Sequence, residues 1–110
     1  MAETYKNARL AITSSEQTLY TTPASTTGVL VSLRITNIDG AVDDQVTVKI
    51  RDNSASADTE VASTITVPAD STVSITGVDK MFLEENDLIK ITGVNASGDL
   101  IAFASILEIT

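Results

Sequence analysis

The chain has 110 residues and a net charge of −8, with fifteen Asp and Glu against seven Lys and Arg, and it contains no histidine, cysteine or tryptophan. Those absences remove the most frequent general base, the thiolate nucleophile, soft-metal thiolate sites and disulfides, so no catalytic, metal-binding or cofactor-binding residue is assigned. The acidity makes nucleic acid and anionic membrane surfaces poor partners, and the length suits one domain spanning residues 1–110.

Residues 1–6 put acid before base and lack the apolar stretch of a secretory signal. They precede the first clear alternation and are expected to form a flexible arm, with Tyr5 and Lys6 as an aromatic and cationic anchor for a partner. A strand over 5–13 places Ala8, Leu10 and Ile12 on one face, and a short one over 18–22 stops at Pro23, which cannot donate to a central ladder. The longest strand, 28–38, has Val29, Val31, Leu33 and Ile35 facing a core and Ser32, Arg34 and Thr36 facing out. Asp39-Gly40 is a turn signal, and 45–51 follows as its antiparallel neighbour with Val46, Val48 and Ile50 inside. Outward Lys49, Arg51 and Arg34 are expected to form a basic stripe, with cross-strand pairing to acids as their simplest use and docking onto an acidic partner as the alternative.

The polar loop 52–58 precedes a strand over 59–67 that contributes Val61, Ile65 and Val67 to the core. A strand over 72–76 ends at Gly77, and Met81-Phe82-Leu83 is a compact apolar run. Strands over 88–94 and 100–109 flank Asn95-Ala96-Ser97-Gly98, a hairpin connection whose glycosylation sequon is read as turn chemistry. In 100–109 the odd positions Ile101, Phe103, Leu107 and Ile109 are expected in the core. The even positions Leu100, Ala102, Ala104 and Ile106 then form a second apolar face that a neighbouring subunit or another part of the chain would cover.

Period-two alternation from end to end, with no helical periodicity, gives an all-β chain: one antiparallel β-sandwich of about eight strands, of jelly-roll or Greek-key type. The acids cluster in turns: Asp39, Asp43 and Asp44; Asp52, Asp58 and Glu60; Glu84, Glu85 and Asp87. None has the ordered spacing of a calcium loop, so turn geometry and solvation account for them. A carboxylate pair for glycoside hydrolysis would also need an aromatic-lined cleft, and the chain has four aromatics, Tyr5, Tyr20, Phe82 and Phe103.

The segments Leu19-Tyr20-Thr21-Thr22-Pro23-Ala24, Ser32-Leu33-Arg34-Ile35-Thr36-Asn37, Phe82-Leu83-Glu84-Glu85-Asn86-Asp87-Leu88-Ile89-Lys90 and Gly98-Asp99-Leu100-Ile101-Ala102-Phe103-Ala104-Ser105 resemble small β-sandwich virion proteins of tailed bacteriophages. The resemblance covers most of the chain and rests on phrasing and spacing. It implies a non-enzymatic structural part made in the bacterial cytoplasm and located in the virion. The expected role is a capsid decoration or cement protein on the outer head surface, with the major capsid protein as partner and a homo-oligomer as a possible state. A tail, neck or fibre accessory part, or a receptor- or carbohydrate-binding module, is the alternative.

Overall fold

A computed structural model describes residues 2–76, 79–95 and 97–110, with only the backbone described at Ser97 and Gly98. The described residues form nine strands and no helix: β1 (Glu3–Thr13), β2 (Gln17–Thr21), β3 (Thr27–Asn37), β4 (Asp44–Asp52), β5 (Ala57–Val67), β6 (Thr72–Ser74), β7 (Met81–Leu83), β8 (Leu88–Gly93) and β9 (Ser97–Ile109). No helix among them is long and apolar enough to cross a membrane. The expected strand end at Gly77 and the central Ala96 of the sequon lie outside the described residues.

Two antiparallel sheets face each other. The first has the order β1-β9-β3-β6, with β7 pairing the other end of β3, and the second has the order β2-β8-β4-β5. The pairs are nested: β4 with β5, β3 with β6 and β7, β2 with β8, and β1 with β9. The chain is therefore a long folded ribbon wrapped into two layers, which is jelly-roll topology. Among the described residues only β4 and β5 are joined as a local hairpin, where Asp52 accepts hydrogen bonds from the Ser54 hydroxyl (2.8 Å) and the Ala55 amide (3.3 Å).

This wrapping corrects two expected neighbours. The 28–38 and 45–51 strands do not pair, because β3 and β4 lie in opposite sheets and the Asp39-Gly40 segment crosses between them. Likewise β8 and β9 lie in opposite sheets, so their connection is a crossing rather than a hairpin.

The core is aliphatic. Leu30, Leu33, Ile35, Val46, Val48, Ile89, Ile91 and Leu100 are fully buried, and Ala8, Leu10, Ile50 and Met81 pack against the cluster. Alternation holds where strands are regular and fails at bulges. In β3, Leu30 pairs with Ile106 and Ser32 with Ser105, so Val31 is an extra residue. The bulge turns Leu30 inward and leaves Val31 37% exposed, against the expectation for Val31. In β5 two extra residues oppose Val46–Lys49, which brings Ala62 inward and leaves Val61 exposed.

The largest correction concerns β9. Leu100, Ala102, Ala104 and Ile106 are the buried face, not an interface, and Ile101, Phe103, Leu107 and Ile109 face out. The cause is register. Ala8 pairs with Ala104, Leu10 with Ala102 and Ile12 with Leu100, and residues directly opposite in an antiparallel ladder point to one side. Once β1 turns its even residues inward, the even residues of β9 must follow.

The expected flexible arm is also corrected. Residues 3–6 belong to β1, and Ala2 and Thr110 exchange both backbone hydrogen bonds (3.0 and 2.9 Å).

Candidate interaction surface

The two outer faces of the sandwich differ in chemistry. On the second sheet, Thr18, Thr47, Lys49, Lys90 and Arg51 stand outward, and their charges are matched inside the chain. Glu16 lies between Lys49 (3.2 Å) and Lys90 (3.6 Å), and Arg51 reaches Asp58 (3.4 Å). The Glu16 contact raises the Lys49 pKa. Lys49 and Arg51 thus sit on the face opposite Arg34, so no common basic stripe exists; Arg51 pairs across the strands with Asp58, whereas Lys49 is held by Glu16 of the β1–β2 connection.

The first sheet is different. Its register sets Tyr5, Leu107, Val29 and Phe82 in one row across β1, β9, β3 and β7. Tyr5 is 80% and Phe82 74% exposed, whereas Val29 is buried yet outside the core cluster, flanked by Leu107 and Phe82. A further row sets Arg9, Phe103 and Arg34 side by side, and beyond it stand Ala11, Ile101, Thr36 and Thr72. The hydroxyls of Thr36 and Thr72, 2.9 Å apart, tie that row together. Between the first two rows lies a shallow depression of about 310 Å³ lined by Tyr5, Asn7, Val31, Phe103 and Ser105. Among the described residues neither Arg9 nor Arg34 forms an ion pair. Aromatic rings flanked by arginines are the composition that protein contacts favour.

Of the residues expected to make contacts, Tyr5 is on this face. Lys6 is not free: its ammonium lies 3.0 Å from Glu108, whose other oxygen accepts a 2.5 Å hydrogen bond from the Tyr20 hydroxyl. Glu108 is 6% exposed, and this cluster links β1 and β9 to β2 of the other sheet. The Tyr20 hydrogen bond, with Lys6 behind it, holds the Glu108 carboxyl below the usual range despite its burial. Burial and the neighbouring carboxylate push the Tyr20 phenol well up. Phe103, Phe82, Leu107, Val31 and Arg9 were not anticipated on a contact face. The signal that finds them is the β1–β9 register, fixed by Ala8, Leu10 and Ile12.

The acidic turns hold loops. Asp87, 5% exposed, accepts from the amides of Asn53 (3.1 Å) and Glu84 (2.9 Å), one on each oxygen. Asp44 accepts from Gln45 and Asn95. Asp52, Glu84 and Asp87 bring carboxylate oxygens within 4.8 Å of one another, and the Ser54 hydroxyl and Ala55 amide lower the Asp52 pKa.

No family model and no curated protein matches the chain. Among solved structures it is similar to a chain from Bacillus, from work described as "Bacillus endospore appendages form a novel family of disulfide-linked pili". That match has 16% identity and a TM-score of 0.59, over 99% of this chain and 87% of the other. The likeness is one of fold.

Proposed function

We propose that the chain is a non-enzymatic structural subunit of a tailed-phage virion that decorates the outer surface of the head, bound to the major capsid protein. The observation that carries this reading is the contrast between the two outer faces. One satisfies its own charges, and the other offers Tyr5, Phe82, Phe103 and Val31 with two arginines that form no ion pair among the described residues. A part lying flat on a large protein surface needs one face to dock and one to meet water. The resemblance of four segments to phage β-sandwich virion proteins supplies the particle. The similar chain comes from work describing Bacillus endospore appendages as disulfide-linked pili; a chain with no cysteine would associate without disulfides.

Cryo-electron microscopy of the particle tests the reading. The expected result is density for the sandwich on the outer shell with the first sheet toward the capsid. Density at the tail or fibres would assign the accessory role instead, and absence from purified particles would overturn the virion role. Replacing Phe82 and Phe103 together by Asp is expected to abolish co-sedimentation with heads lacking the protein and to leave the melting temperature nearly unchanged.

A further inference from the structure

An open sandwich leaves strand edges whose unpaired amides and carbonyls can template a foreign strand, and edges are blunted by shortness, bulges or strain. Most edges here are blunted. β6 and β7 have three residues each. β2 has five, carries an extra residue at Leu19 and ends before Pro23. β5 carries two bulges, with Thr64 forced to a φ of 48°. β1 is the exception: it pairs with β9 from Glu3 to Ile12 without a shift, and Glu3 to Asn7 are all exposed.

The free groups of that edge follow from the ladder. Ala2 and Thr110 form a doubly bonded pair, and such pairs alternate, so Thr4, Lys6 and Ala8 bond to β9. Glu3, Tyr5, Asn7 and Arg9 direct their amides and carbonyls away from the sheet.

We propose that β1 pairs antiparallel with β1 of a second copy about a two-fold axis at Lys6, joining two first sheets into one continuous sheet. In this register Tyr5 lies opposite Asn7 of the second copy, and Glu3 lies opposite its Arg9, each relation occurring twice by symmetry. Both bonded pairs fall on odd residues, so the free backbone groups meet. The charges match as well. Arg9 forms no ion pair among the described residues and gains Glu3 of the other copy, while Lys6 at the axis is already held by its own Glu108. A foreign strand would have to supply an acid and a base in that same antiparallel order; the second copy carries both. The Tyr5 rings of the two copies then stand beside the axis and extend the apolar row of each sheet. The inference does not depend on which particle carries the protein.

Sedimentation velocity of the full chain tests it. The expected species is a dimer. Glu3→Arg and Arg9→Glu should each weaken dimerisation at least about tenfold, and the double reversal should restore it. Asn7→Pro removes an outward amide and none of the β9 bonds, so it should give a monomer with an unchanged β-sheet circular dichroism spectrum. A native chain that stays monomeric to its solubility limit overturns the proposal. So does a dimer indifferent to both charge reversals, or a double reversal no better than the singles.

Discussion

Glu108 shows how a single side chain ties the layers together. A carboxylate on the inward side of β9 would be costly unpaired, and here the Tyr20 hydroxyl and the Lys6 ammonium occupy its two oxygens. Because its pKa is lowered in the fold, the unfolded chain binds the proton more tightly, so this stabilisation is complete above the ordinary carboxylate value of about 4 and fades as pH falls further. Tyr20 works in the other direction: its raised pKa means that the unfolded chain loses the proton first, and stability declines above about pH 10. Thermal melts across that range should show both limbs. Tyr20→Phe should shrink the alkaline limb, leaving only the part carried by Lys49, and cost about 1–2 kcal/mol at neutral pH. Nothing local in the chain hints at this contact, since Tyr20 and Glu108 lie 88 positions apart. Asn37 is equally hidden: within the 28–38 strand nothing marks its side chain, yet it is buried, donates to the carbonyls of Val42 (2.9 Å) and Val67 (3.1 Å), and accepts from the Asp39 amide (3.0 Å).

Among the strands, alternation is decisive when one face is polar and silent when both are apolar. The inward set of β1 is legible as Ala8, Leu10 and Ile12, and that of β4 as Val46 and Val48. β9 has two apolar faces, and its bulkier residues, Phe103 and Leu107, lie outside while Ala102 and Ala104 lie within. Only pairing with β1 and β3 decides between them, and register across 90 or so positions is not a local property. Lysine substitution separates the faces. Ala104→Lys places an ammonium at a fully buried site and should cost about 3–5 kcal/mol, whereas Phe103→Lys should leave the unfolding free energy from urea titration within about 0.5 kcal/mol of the parent. Bulges are the second illegible feature. Thr64 sits at a φ of 48°, where a β-branched residue is strained, and its amide is held by the Thr47 hydroxyl (3.0 Å). Thr64→Asn, which tolerates that conformation, should raise stability by about 0.5–1 kcal/mol in the same titration.

For the molecule as a whole, the sandwich and its jelly-roll option were readable from alternation and turn spacing, because strand existence is a local matter. The nesting of pairs was not, and it carries a kinetic consequence. Each successive pair spans a longer stretch of chain, from the β4–β5 hairpin to β1 with β9, whose partners are separated by nearly the full length. Closing a loop costs more entropy the longer it is, so the ribbon should zip from its tip toward its ends, with β1 docking last. During synthesis β1 emerges ahead of the other strands and must wait for β9 before it has a partner. Val48→Ala, beside the tip, should therefore slow refolding, while Leu10→Ala should chiefly speed unfolding in stopped-flow measurements. The strand that waits longest is the one left with an open edge, so the nascent sandwich is most exposed to mispairing at β1, until the last turn of the ribbon closes over it.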